Sequence, residues 1–112
     1  MDTPKFQILR QAMNAYALRT RALATNVSNL DTPGFQRVSV SFEDALQRAR
    51  RGPGGVQDAS ALRVRAQTED RPPLLEDEMM ELADTQMRTQ LATRALSEHF
   101  SLMRTSVTGR PE

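Results

Sequence analysis

The sequence lacks several residue types on which enzymes and disulfide-bonded domains depend. It has no cysteine, no tryptophan and a single histidine, and aromatic residues make up only 4% of its 112 positions. Without cysteine, neither a disulfide framework nor a thiolate metal site can form. Because bulky side chains are scarce, we expect one domain with a small core that is marginally stable alone.

Long apolar runs are missing as well. No stretch approaches the roughly 20 apolar residues that a membrane span requires, so we expect no membrane-spanning segment. The N-terminal residues also lack the apolar core and cleavage site of a secretory signal. If the protein leaves the cytoplasm, we therefore expect export without a cleaved signal peptide.

No catalytic, cofactor or metal constellation is found along the chain. His99 stands alone among possible metal ligands, and we expect it to be structural, either exposed or at an interface. Gly52 to Gly55 lacks the Lys-Ser/Thr of a phosphate loop and is interpreted as a linker. Four acidic residues lack the calcium-loop pattern and are interpreted as favourable charge at a helix start: Glu76, Asp77, Glu78 and Glu81. We expect neither an enzyme nor a cofactor.

The charges are unevenly distributed although they nearly cancel, to a net +1. Residues 1–65 hold ten Lys or Arg and five Asp or Glu, whereas residues 66–112 hold five and nine. This asymmetry favours pairing of the N-terminal part with the C-terminal part. A basic run lacks interleaved aromatic residues and does not indicate nucleic-acid binding: Arg48, Arg50, Arg51, Arg63 and Arg65.

Two stretches at opposite ends of the chain carry a seven-residue apolar repeat. Only a helix turns such a spacing into one continuous stripe, and each stripe needs a partner that covers it. We predict a mainly α fold in which long N- and C-terminal helices pack as a coiled coil, with each other or with neighbouring copies. The expected assembly interface consists of Phe6, Leu9, Met13, Tyr16, Leu23 and Leu30 on the first helix, and Leu75, Met79, Leu82, Leu96, Phe100, Met103 and Val107 on the second.

The second helix carries a further apolar set on an adjacent face. One partner helix cannot cover both sets, so we expect this helix to have several neighbours, as in a packed tube. The second set consists of Met80, Met87, Leu91, Ala95 and Leu102.

We divide the chain into three parts within one axial domain. Residues 1–31 form the N-terminal helix, which Asp2 or Thr3 can cap and which runs from Pro4 to about Asn29. Residues 32–73 hold a turn, a short strand and a flexible linker, and residues 74–112 form the C-terminal helix.

The middle part contains two further signals before the linker. Alternation of apolar Val38, Val40 and Phe42 with polar residues predicts a short strand. Ser41 and Asp44 resemble a capping pair, which predicts a short helix from Phe42 to Arg51. From Gly52 to Pro73 the chain is polar, rich in Gly and Pro, and predicted to be flexible in isolation.

The corner after the first helix is the most specific local signal. Asn26 and Asn29 are poor helix-interior residues that lie three apart, and we expect them to bond backbone groups where the helix ends. The motif comprises Leu23, Asn26, Val27, Asn29, Thr32, Pro33, Gly34 and Phe35. It resembles the N-terminal signature of the axial proteins of the bacterial flagellar rod and hook.

The C-terminal helix is similar to that of the basal-body rod proteins, through Glu78-Met79, Leu82-Ala83, Gln86 and Phe100 to Arg104. The short length favours a proximal rod member over the longer distal-rod and hook proteins, with the FlgC type of rod protein as the alternative.

The resemblance implies a subunit that is exported through the flagellar type III apparatus and polymerises through its terminal helices in the periplasmic rod. The implied partners are other copies of the chain, rod proteins of the FlgC type, the FliE adaptor and the export gate. A helical-hairpin adaptor or chaperone explains the stripes too, but not the corner motif.

Overall fold

The computed structural model describes residues 3–52 and 64–108 of the chain. The elements are helix α1 (Pro4–Ser28), strand β1 (Val38–Ser41), helix α2 (Glu43–Arg51), strand β2 (Arg65–Thr68) and helix α3 (Leu75–Thr108). Helices hold 71% of the described residues. The predicted mainly α fold with two long terminal helices is confirmed.

Helices α1 and α3 pack against each other in antiparallel orientation. Phe6, near the start of α1, stacks on His99 near the end of α3, with ring centroids 5.6 Å apart. At the opposite end, the Asn26 side chain donates a hydrogen bond to Glu78 over 2.8 Å. The two long helices therefore form one coiled-coil hairpin within the molecule, and the corner and sheet lie at its closed end.

Local signals set the ends of α1. The Thr3 hydroxyl accepts a hydrogen bond from the Phe6 backbone N–H over 3.1 Å, and Pro4 stands at the first helical position. Asp2, the other predicted cap, lies outside the described residues. At the far end, Thr32 to Phe35 form a turn in which the Phe35 N–H donates to the Thr32 carbonyl over 3.2 Å.

Gly34 allows that turn. Its φ of +75° lies in the left-handed region, where a side chain would be strained. Pro33 before it supplies the fixed φ that suits the first central position of a type II turn. The chain thus turns after the first helix, within residues 32–73, where the sequence predicted a turn.

After the corner, the chain forms a two-stranded antiparallel sheet. Val38 of β1 pairs with Thr68 of β2, and Ser41 pairs with Arg65. Strand β2 lies inside the stretch that was predicted to be a flexible linker. The sequence did not predict this strand, because its four side chains are exposed and show no apolar alternation. Residues 53–63 of that stretch lie outside the described residues.

Helix α2 is found where it was predicted, but its cap differs. Phe42 is the N-cap residue and no side chain caps the helix, so the predicted Ser41–Asp44 capping pair is wrong. The Leu46 N–H bonds the Phe42 carbonyl over 2.9 Å instead. Phe42 itself is buried against Ala12 and Ala15 of α1.

The molecule is a thin plate that measures 60 × 34 × 16 Å. A thickness of 16 Å leaves room for little more than one layer of helices. The buried apolar residues of the described chain are accordingly few and mostly small: Ala12, Ala15, Ala22, Leu23, Val40, Phe42 and Ala92. None of the described helices is both long and apolar enough to cross a bilayer.

Candidate functional site

The last turns of α1 place Asn26 at the meeting point of three elements. Its side chain is fully buried. The Asn26 Oδ1 accepts from the Val38 N–H, and Nδ2 donates to the Val38 carbonyl, each over 2.8 Å. The amide thus pairs with β1 as a neighbouring strand would, and its bond to Glu78 adds α3 to the junction.

Asn29 acts within the corner itself. Its Nδ2 donates to the Thr25 carbonyl over 2.8 Å, and its Oδ1 accepts from the Thr32 hydroxyl over 3.0 Å. Asn29 therefore bonds a backbone group at the helix end, as the sequence predicted, whereas Asn26 bonds the backbone of Val38 in β1. Asn26 also joins α1 to the sheet and to α3, which the sequence did not indicate.

A buried arginine completes this junction. The Arg37 side chain is 2% exposed, and its Nε donates to the fully buried Glu78 over 2.8 Å. Its two other nitrogens pair with Glu69 and Glu81. Burial alone would lower the pKa of Arg37, but the hydrogen bonds that it donates to Glu78 and Glu69 and the charge of Glu81 outweigh this effect and raise the pKa. Arg37 therefore stays charged.

The Arg37 backbone extends the sheet toward the corner. Its N–H donates to the Arg71 carbonyl over 2.9 Å, and its carbonyl accepts from the Glu69 N–H over 2.8 Å. Arg37 thus joins the segment before α3 to the corner through both its backbone and its side chain. We call Asn26, Arg37 and Glu78 the junction.

A second ion-pair network lies halfway along the hairpin. Arg19 of α1 contacts both carboxylate oxygens of Glu43, over 3.0 and 2.7 Å, and also donates to the Val40 carbonyl. Arg88 of α3 reaches Glu43 over 3.4 Å. The Arg19 hydrogen bonds lower the pKa of Glu43 against the opposing effect of burial. This network holds α2 against both long helices.

The residues predicted on α1 lie mainly toward α3 or α2. Leu23 is buried, and Phe6, Leu9, Met13, Tyr16 and Leu30 are half-buried. Tyr16 packs beside the Ala12–Ala15–Phe42 core. In the motif, Val27 is exposed and Phe35 is half-buried.

The inward face of α3 is rotated relative to the predicted stripe. Its four buried members recur every seven residues: Glu78, Thr85, Ala92 and His99. Of the predicted stripe, Leu82, Leu96 and Met103 are half-buried beside them, whereas Leu75, Met79, Phe100 and Val107 are 50 to 82% exposed. The structure brings only part of the predicted interface together inside the molecule.

The exposed part forms what we call the outer apolar set of α3. It comprises Leu75, Met79, Met80, Met87, Leu91, Phe100, Leu102 and Val107. Met80, Met87, Leu91 and Leu102 belong to the second apolar face that the sequence predicted. Such a set on a thin plate is typical of a surface that another polypeptide covers.

His99, for which an exposed or interfacial place was expected, is buried between the two long helices. It stacks on Phe6 and meets Phe100 edge to face, with centroids 6.0 Å apart. No group of three or more His, Asp or Glu side chains within residues 3–52 and 64–108 is arranged to hold a metal ion.

The sequence did not indicate the burial of Arg37 and Glu78. Apolar periodicity predicts that Met79 rather than Glu78 belongs to the stripe, because Glu78 is polar. The available signal was the heptad spacing of Glu78 with Thr85, Ala92 and His99, taken regardless of polarity. The acidic cluster was interpreted only as helix-start charge, whereas Glu78 and Glu81 also bind Arg37.

The corner motif lies in the part of the chain that matches a known protein family. Residues 6–36, which span most of α1 and the whole motif, match the family described as Flagella basal body rod protein. The predicted resemblance to flagellar basal-body rod proteins is confirmed. The matched segment ends just before Arg37, so the rod-family signature covers the corner but not the buried arginine.

Two curated rod proteins are also similar to the chain. The flagellar basal body rod protein FlgB of Aeromonas hydrophila is 35% identical over 49 residues, which are 44% of this chain and 37% of the relative. FlgB of Borrelia hermsii is 43% identical over 37 residues, which are 33% of this chain and 27% of the relative. The FlgB-like match thus spans about a third of the length of these relatives.

Proposed function

We propose that this chain is a structural subunit of the flagellar basal-body rod, in the proximal part where FlgB-type proteins belong. The observation that carries the proposal is the outer apolar set of α3, attached to a corner with the rod-family motif. The matched family is one of structural rod components rather than enzymes. In this proposal, the N-terminal helix, the middle segment and the C-terminal helix together form one axial domain of the rod.

The surface of the plate supports assembly. The chain exposes 7815 Å², whereas a compact monomer of 12.6 kDa exposes about 6,200 Å². The difference is about twice the roughly 800 Å² that one partner contributes to a standard protein–protein interface. Because apolar burial contributes about 25 cal/mol per Å², contacts with several neighbours would stabilise a subunit whose own core is small.

The junction suits a subunit that must transmit load. It fixes the corner, β1 and α3 to one another through buried polar contacts rather than through a large apolar core. The outer apolar set then remains available to neighbours while the hairpin keeps its shape. Contacts between unlike surfaces of successive subunits produce a helical array when the rotation between subunits does not close a ring.

The partners follow from the rod resemblance. They are further copies of the chain, rod proteins of the FlgC type, the FliE adaptor and the flagellar export gate. In this proposal the subunit links the gate at the base to the rest of the rod in the periplasm, and it is exported without a cleaved signal peptide. The alternative within the family is a FlgC-type subunit.

Far-UV circular dichroism and sedimentation velocity of the purified chain, alone and mixed with FliE and the other rod proteins, test this function. We expect a weakly associating chain that gains helix and sediments as large species on mixing. A stable helical dimer that ignores these partners would contradict the proposal and favour the helical-hairpin adaptor.

A further inference from the structure

A groove between the three helices interrupts one face of the plate. It has a volume of about 350 Å³, and apolar side chains from α1, α2 and α3 form most of its walls, among them Ile8, Leu9, Leu46 and Leu91. Phe42 also lines it and is 2% exposed. The groove is therefore a part of the apolar core that the molecule leaves open on one side.

Positive charge lies beside this groove, at the end of α2. The last two turns of α2 carry three exposed or half-buried arginines, Arg48, Arg50 and Arg51. Arg50 lies one helical turn beyond Leu46, on the same side of α2. Across the groove, the wall residue Arg88 of α3 is paired with Asp84 and Glu43, over 2.7 and 3.4 Å, so the positive charge beside the groove comes mainly from the α2 arginines. An apolar segment that carries acidic residues would complement this surface.

The first turns of α3 have that composition. Leu75, Met79 and Met80 are 51, 50 and 72% exposed. Glu76 and Asp77 beside them are exposed as well, and no Lys or Arg occurs between Arg71 and Arg88. We call the exposed residues Leu75, Glu76, Asp77, Met79 and Met80 the acidic ridge.

Two other exposed apolar residues of α3 fit the groove less well than the ridge does. Phe100 and Leu102 lie among charges of both signs, since Arg94 and Arg104 flank them together with Glu98. Charge complementarity therefore selects the acidic ridge as the occupant.

We infer that the groove of one copy receives the acidic ridge of a second copy. The ridge of the same molecule cannot enter it, because its centre and the groove wall lie on one continuous helix about 14 residues, or roughly 20 Å, apart. The two surfaces differ, so each copy offers a free groove and a free ridge, and the contact propagates as an open array unless the rotation between copies closes a ring. This inference rests on the proposed function and specifies one of its contacts.

Crosslinking between copies tests the contact, and the absence of native cysteine makes it clean. A Leu46→Cys variant is mixed with a Met80→Cys variant and treated with a short bismaleimide. The matched control replaces Met80→Cys with Ala24→Cys, an exposed site on α1. We expect at least about tenfold more heterodimer with Met80→Cys than with Ala24→Cys, which corresponds to about 1.4 kcal/mol. Equal yields would overturn the inference.

Charge-reversal variants provide a second test of the contact between the groove and the acidic ridge. In the Leu46→Cys copy, Arg48→Glu, Arg50→Glu and Arg51→Glu together should reduce the heterodimer to the control level. Adding Glu76→Lys and Asp77→Lys to the Met80→Cys copy should restore it. A yield indifferent to these changes would overturn the inference.

Sedimentation of the unmodified chain with the rod proteins distinguishes failure of the groove–ridge contact from failure of the proposed rod function. Assembly without the crosslink would overturn this contact and leave the proposed function standing. Failure to associate with itself or with any rod protein would overturn both.

Discussion

Arg37 and Glu78 form an ion pair that is closed to solvent where the corner, the sheet and both long helices meet. Their side chains are 2% and 0% exposed, and Arg37 Nε lies 2.8 Å from Glu78 Oε2. The other Glu78 oxygen accepts from Asn26. Two charges without water are tolerated here because each has several partners, and removal of one partner leaves the other buried and unpaired.

Substitution of Arg37 should therefore be costly. We expect Arg37→Met to lower the free energy of unfolding by about 3–5 kcal/mol, because it leaves Glu78 buried without its partner. Urea denaturation followed by circular dichroism measures this. Arg65→Ala, at an exposed arginine of β2, should change it by no more than about 0.5 kcal/mol.

The paired substitution separates packing from charge. Arg37→Met combined with Glu78→Leu should recover most of the loss, since an apolar pair of similar volume needs no desolvated charge. If the double variant were as unstable as Arg37→Met alone, the unpaired charge would not be the cause.

Asn26 should not tolerate an isosteric acid. Asn26→Asp replaces a donor by an oxygen 2.8 Å from both Glu78 Oε1 and the Val38 carbonyl. We expect a loss of about 3–5 kcal/mol at neutral pH that becomes smaller in mild acid, as one carboxyl is protonated. Asn29→Asp is the control at the exposed corner and should cost about 1 kcal/mol or less. Equal effects at both sites would contradict the role assigned to Asn26.

Gly34 should be replaceable only at the expense of backbone strain. No atom lies within 4 Å of the position that a Cβ would occupy, so Gly34→Ala meets open space and suffers only from its positive φ. We expect a loss of about 1–2 kcal/mol. Gly52→Ala, at a φ of −75°, should be neutral or stabilising by up to about 1 kcal/mol. Thermal unfolding of both variants decides this, and a neutral Gly34→Ala would contradict the account of the turn.

The ion-pair network around Glu43 should make the free energy of unfolding depend on pH. The pKa of Glu43 is lowered in the folded chain, so its contribution is fully present above the unfolded value of about 4.3 and is lost as the pH falls through the folded value. We expect Glu43→Gln to be less stable than the parent at neutral pH and to lose less stability on acidification. Denaturation midpoints from about pH 7 to about pH 3 test this, and parallel profiles would contradict it.

The helices and the corner could be predicted because their signals are local. The cap at Thr3, the Pro33-Gly34 turn and the apolar repeats are each determined by neighbouring residues. Strand β2 could not be predicted, because its register depends on backbone pairing with a strand that lies on the far side of α2 in the sequence.

The junction could not be predicted from the sequence for a different reason. Arg37 is buried only because Glu69, Glu78 and Glu81 are brought to it from more than 30 residues away. The same contacts rotate α3 so that Glu78 rather than Met79 faces α1. Polar partners, which hydrophobic periodicity does not detect, thereby determined which half of the predicted stripe remained exposed.

Complementation in the bacterium that carries this chain tests the rod assignment most directly. Its gene is deleted, and the parent chain, Phe100→Glu or Gln90→Glu is supplied in its place. Phe100 is 54% exposed, so a charge there remains hydrated in the monomer but would be buried in the rod. We predict that the parent and Gln90→Glu restore swimming and complete rods in electron micrographs, whereas Phe100→Glu is expressed and restores neither. Normal swimming of the deletion strain, or of the strain with Phe100→Glu, would contradict the account.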